Sequence, residues 1–149
     1  MNGTLAETQD WLHRSFPLVA AMGLEIVTLE PGHVVTRVPL ERNHNVHGTA
    51  FAGSLATQAM LTGWLLLTRD LEAAGIEALL LQREATIRYV APIHGDPLCR
   101  CAVPLEQLEG FRNTLTAHGK ARLDTDIDLL DGESIAAVLS AGYSARLRL

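Results

Sequence analysis

The sequence predicts an α+β fold in which one long helix lies against a strongly curved antiparallel sheet, and three observations carry that expectation. The stretch Ala52 to Thr68 holds no charged residue and is apolar nearly all round, so as a helix it must be enclosed on more than one side. Nearly everything after Gly75 reads as strand, ending in a segment that sets Ile135, Ala137, Leu139, Ala141, Tyr143, Ala145 and Leu147 on one side. Small residues gather where the two would meet, at Ala52, Gly53, Ala56, Ala59 and Gly63 on the helix and at Ala and Gly on the strands. A sheet needs such residues if a helix is to lie close against it.

Each element follows in chain order. Thr4 and Glu7 have the spacing of a capping box, and Leu5, Trp11, Leu12 and Phe16 form an apolar stripe until Pro17 interrupts it, which predicts a short N-terminal helix. Leu24 to Glu30 and His33 to Leu40, rich in branched residues and separated by Pro31-Gly32, predict a hairpin. A polar loop runs from Glu41 to Thr49, after which the long helix begins at Phe51 and continues to about Ala74, with Gly75 placed to stop it. Leu79 to Val90 and Leu98 to Val103 read as strands around a turn at Gly95-Asp96-Pro97, and Pro104 to Phe111 reads as a helical turn or loop. Leu115, Ala117, Gly119, Ala121 and Leu123 alternate with polar residues and predict a half-buried strand, joined through Asp131-Gly132 to the last one. A lone long helix against about five to six antiparallel strands is the hotdog arrangement. The two free edges of such a sheet point to a homodimer, which can pair again into a tetramer.

The 149 residues suit one domain spanning 1–149. A formal charge of −5 with scattered basic residues argues against nucleic acid or an anionic membrane as partner. The uncharged run is short for a membrane span and includes Ser54, Thr57, Gln58 and Thr62. Cys99 and Cys101, two apart on a strand, read as reduced thiols; with no visible signal peptide, this points to the cytoplasm. His44 and His47 lack further ligands nearby, so no metal site is expected.

The chemistry-bearing stretch is the junction of polar loop and apolar helix, Asn43 to Ser54. A helix start presents unpaired N–H groups and the positive end of its dipole, and Gly48 lets a carbonyl approach that backbone. Such donors polarise a thioester and hold the oxyanion that forms under attack by water. The same Asn, His and Thr residues also suit a plain turn and helix cap.

The run GTAFAGSLATQAMLTGW, preceded by N-x-N, resembles the signature of the YiiD C-terminal-domain family of thioesterases in the hotdog superfamily. His47-Gly48 is similar to the H-G element of phenylacetate-type hotdog thioesterases. The resemblance implies an acyl-CoA or acyl carrier protein thioester as substrate, with no cofactor. It also implies that the Gly48 N–H binds the thioester oxygen while Asn45 or His47 orients substrate or water. The carboxylate that such relatives carry on the helix is missing, since no Asp or Glu occurs from Asn43 through Thr68. His47 then becomes the candidate general base, Asn45 a holder of water or substrate, Gly48 and Thr49 backbone donors, and Ser54 a supporting hydroxyl. Asn43, Phe51, Gly53, Thr57 and Glu84 complete the expected substrate-binding set, Glu84 as a carboxylate supplied across a dimer. Two other readings stay open: a module that binds acyl thioesters or lipids without turnover, and a hotdog acyl-thioester dehydratase.

Overall fold

The structure is a computed structural model, and residues 3–148 are described. Helix α1 (Leu5–Ser15) opens with the expected capping box: the Glu7 N–H donates to Thr4 Oγ1 at 3.3 Å and the Thr4 N–H to Glu7 Oε2 at 2.7 Å. Pro17 ends α1 and starts a second short helix, α2 (Pro17–Met22), where a missing N–H at the first helical position costs nothing. Strands β1 (Glu25–Glu30) and β2 (His33–Arg37) form the expected hairpin. A side chain at Gly32 would sit 2.7 Å from the Val103 carbonyl, and its φ of +72° is the left-handed conformation the turn requires. β2 stops short of Leu40, because the polar loop begins with a four-residue helix, α3 (Leu40–Asn43).

The long helix α4 runs Ala52–Ala73 with Gly75 at φ +69° behind it. It is followed by β3 (Ala78–Tyr89), β4 (Leu98–Ala102), α5 (Leu105–His118), β5 (Lys120–Asp131) and β6 (Ser134–Leu147). The six strands form one antiparallel sheet in the order β1-β2-β4-β5-β6-β3. α4 crosses one face of it, touching every strand from β2 to β6. This is the hotdog fold.

Two expectations need correction. The period-two reading of Leu115 to Leu123 fails in its first half: Leu115 and Ala117 belong to α5, which ends at Gly119 (φ +75°). Leu108, Phe111 and Leu115 recur at helical spacing and are all buried, so burial of that stripe overrides the accidental alternation. The alternation is real only from Ala121 and Leu123 onward. Ile135 is also misplaced. Ala137, Leu139, Ala141, Tyr143 and Ala145 do form the buried face of β6, but Ile135 is exposed, because a bulge at Leu129/Leu130 shifts the register and turns the strand end over.

The small residues act as expected. A Cβ at Gly63 would collide with the Tyr143 hydroxyl and lie 2.6 Å from Ile127 Cδ1. The same hydroxyl donates to the Met60 carbonyl at 2.9 Å, bonding helix to sheet where they come closest. Cys99 and Cys101 are buried free thiols, and burial pushes both up to about 12.

Candidate active site

The loop between α3 and α4 is built around its two asparagines. Asn43 is buried; its side-chain NH2 donates to the Met22 and Pro39 carbonyls, both at 2.8 Å, and its own carbonyl accepts the Phe51 N–H at 2.7 Å. It therefore ties α2 and α3 to the start of α4. Asn45 organises the hairpin-like turn beyond it. Asn45 Oδ1 accepts the N–H groups of His47 (2.8 Å) and Thr49 (3.2 Å). Asn45 Nδ2 donates to Thr49 Oγ1 at 2.8 Å and to the Ala50 carbonyl at 3.4 Å, and the Asn45 N–H donates to the Thr49 carbonyl at 2.8 Å. The polar groups of the Asn45 side chain are thus used inside the loop.

This geometry engages the two amides that the sequence suggests as donors. The Gly48 N–H donates to the Asn45 carbonyl at 3.2 Å, and the Thr49 N–H is held by Asn45 Oδ1. Gly48 serves the turn through its φ of +78°, with open space around it. Free donors lie one step later, at the first turn of α4. Phe51 occupies the N-cap position, offers no side-chain cap, and accepts the Leu55 N–H on its carbonyl at 3.1 Å. Among the described residues, the N–H groups of Ala52, Gly53 and Ser54 meet no acceptor. No acidic residue in that turn offsets the positive end of a 22-residue helix.

The remaining candidates surround this helix mouth unevenly. The Phe51 ring, half exposed, folds over Gly53, where a Cβ would approach Phe51 Cε1 to 2.6 Å. Thr57 Oγ1 donates back to the Gly53 carbonyl at 2.9 Å, and Ser54 is partly exposed in the first turn. The His47 ring is exposed near the loop tip, and among the described residues no side chain orients it. His44 Nδ1 lies 3.0 Å from the Asn45 carbonyl. Glu84 is not part of this mouth within one chain. It sits at a bulge of β3, 3.3 Å from Arg83 Nη1, on the face where Asp124 and Asp126 line an open cleft.

Thr57 apart, sequence reasoning missed the residues that wall a groove one helical turn beyond the mouth. A cleft of about 400 Å³ runs along α4, walled by Thr57, Met60, Leu61 and Trp64, by Phe16 and Leu18 from the N-terminal helices, and by Gln82 of β3. The helical spacing of Gly53, Thr57, Met60 and Trp64 was the available signal, but it is hidden in a helix apolar on every side. Tyr89, also unforeseen, donates its hydroxyl to the Ala52 carbonyl at 2.7 Å, and partial burial raises its pKa.

Comparison with known proteins agrees with the fold. A Pseudomonas aeruginosa protein described as a probable thioesterase is 26% identical, with a TM-score of 0.89 and 99% of each chain covered. One from Shewanella oneidensis is 24% identical over 97% of each chain, TM-score 0.80. A Haemophilus influenzae thioesterase shares the fold at 15% identity, TM-score 0.75, covering 99% of this chain and 93% of its own. The model of the YiiD_C family, described as "Putative thioesterase (yiiD_Cterm)", matches residues 5–146, and the chain belongs to that family.

Proposed function

We propose that the protein hydrolyses acyl thioesters of CoA or acyl carrier protein and works as a homodimer. The observation that carries this reading is the uncapped start of α4, whose N–H groups at Ala52, Gly53 and Ser54 lie one helical turn before an apolar groove that begins at Thr57. A thioester carbonyl set against those amides becomes more electrophilic, and the oxyanion is held by fixed dipoles that need not reorient. The acyl chain lies along Thr57, Met60 and Leu61, where it leaves water. His47 accepts the proton of the attacking water, and Asn45 fixes the loop that presents it. The outer edge of β3, paired only through β6 in one chain, supplies the natural seam for a second copy.

A specific observation favours a second reading, in which the site binds acyl thioesters without hydrolysing them. Among the described residues no carboxylate supports the His47 ring, and the Asn45 side chain is already engaged. Thiol release from a series of acyl-CoAs and acyl carrier protein conjugates separates the two: turnover establishes the enzyme, and tight binding without release establishes the carrier. For the enzyme, Ser54→Pro deletes one free N–H at a position where helices tolerate proline, and should lower kcat by about 10²-fold. Ser54→Ala keeps that amide and should retain activity. Equal losses in both variants would shift the role from the amide to the hydroxyl. His47→Ala with wild-type turnover would remove His47 from the mechanism.

A further inference from the structure

The groove beside α4 does not run the length of the helix. It is closed by Trp64, whose indole stacks on Trp11 with ring centroids 6.1 Å apart and planes 12° from parallel. Phe16 meets the same indole edge to face at 5.4 Å. Trp64 Nε1 donates to the Leu80 carbonyl of β3 at 3.2 Å, fixing the ring across the gap between helix and sheet. Trp64 also borders a second cleft of about 690 Å³, which Trp11, Thr68, Leu71 and Ile76 line with it. Two clefts along one stripe of one helix are therefore separated by a single aromatic partition.

We infer that Trp64, braced by Trp11 and Phe16, is the floor of the acyl subsite and restricts the substrate to medium-chain acyl groups. This deepens the thioesterase reading and rests on it for the identity of the ligand. The length follows from helix geometry. Gly53 and Trp64 are eleven residues apart, about 16 Å along the axis. A helical side chain covers the turn N-terminal to its own Cα, which removes about 5 Å and leaves about 11 Å between the amide donors and the indole. A staggered chain of tetrahedral carbons with bonds of about 1.52 Å advances about 1.3 Å per carbon, so the groove holds on the order of eight carbons. A longer chain has to displace a stacked, hydrogen-bonded ring or leave its end in water.

The test is the chain-length profile of the full-length protein on saturated acyl-CoAs from butyryl to palmitoyl, read as kcat/KM and, independently, as binding by calorimetry. Wild type should peak at about eight carbons, and each methylene beyond the floor should cost severalfold or more. Trp64→Ala merges the clefts and should raise the palmitoyl-to-octanoyl ratio by about tenfold or more, with Trp64→Phe between the two. Met60→Trp builds a second floor nearer the mouth and should move the optimum to shorter chains; it keeps the inference testable if removing Trp64 unfolds the protein. An unchanged profile in folded Trp64→Ala, or a Trp64→Ala effect confined to oligomeric state by light scattering, overturns it. Absence of turnover on every acyl-CoA would sink the enzyme reading alone, because binding still reports the length limit. A wild type that binds palmitoyl-CoA as well as octanoyl-CoA overturns the floor.

Discussion

On the side of α4 that faces the sheet, Leu55, Ala59, Leu65 and Leu66 are buried, Gly63 admits the Tyr143 ring, and Thr62 bonds to Thr36 at 2.8 Å. On the opposite stripe, Gly53, Thr57, Met60 and Trp64 are only partly covered, and the N–H groups at the helix start have no acceptor among the described residues. The same helix thus has a side packed into the fold and a side left partly open. Both are built from apolar and small residues, so composition does not distinguish them. What differs is how many of the polar groups near them are already satisfied.

The sharpest way to break this contrast is to make one kind of change on each side. Gly63→Val forces a branched side chain into Tyr143 and Ile127 and should destabilise the fold by about 3 kcal/mol, read as a lower denaturation midpoint with unchanged slope. The next effect concerns the thiols that line the sheet side. Burial raises the pKa of Cys99 and Cys101 to about 12, above the 9.0 of a free thiol, so the unfolded chain ionises first. Their contribution is intact below pH 9 and is lost between pH 9 and 12, by at most about 1.4 kcal/mol per pH unit for each thiol. Urea melts across that window should show the slope, and Cys99→Ala with Cys101→Ala should flatten it.

Tyr143→Phe comes next, with a cost of about 1 kcal/mol for the lost bond to the Met60 carbonyl. Because the hydroxyl is the nearest atom to a Cβ at Gly63, the same change should recover part of the loss in Gly63→Ala, a coupling that a double-mutant cycle measures. The smallest effect belongs to the open side. Gly53→Ala meets only the half-exposed Phe51 ring, which can move, and the gain in helix propensity should leave stability unchanged or higher by about 0.5 kcal/mol. A loss at Gly53 as large as that at Gly63 would contradict the division between the two sides.

What could be read from the sequence follows the same division. α4 was legible in its long uncharged apolar run, the β1–β2 hairpin in branched residues either side of Pro31-Gly32, and the buried face of β6 in its alternation. α5 was not, because Leu115, Ala117 and Gly119 fit a strand by alternation and a helix by their distance from Leu108 and Phe111; burial of that stripe decides between them. The junction from Asn43 to Ser54 stood out in the sequence as loop meeting helix, but which of its amides lack an acceptor did not. The Gly48 amide is taken by the Asn45 main-chain carbonyl and the Thr49 amide by Asn45 Oδ1 curling back over the turn, and bonds of that kind leave no trace in spacing.

The bare flank of β3 has a consequence for handling the protein. Along this twelve-residue strand one edge has no strand partner within the chain, and Leu79, Leu81 and Tyr89 are each roughly half exposed. Such a margin captures any extended peptide that reaches it. Dilution, tags placed beside it or a lysine introduced at Leu81 should therefore shift the balance between ordered pairing and precipitation more than changes elsewhere on the surface.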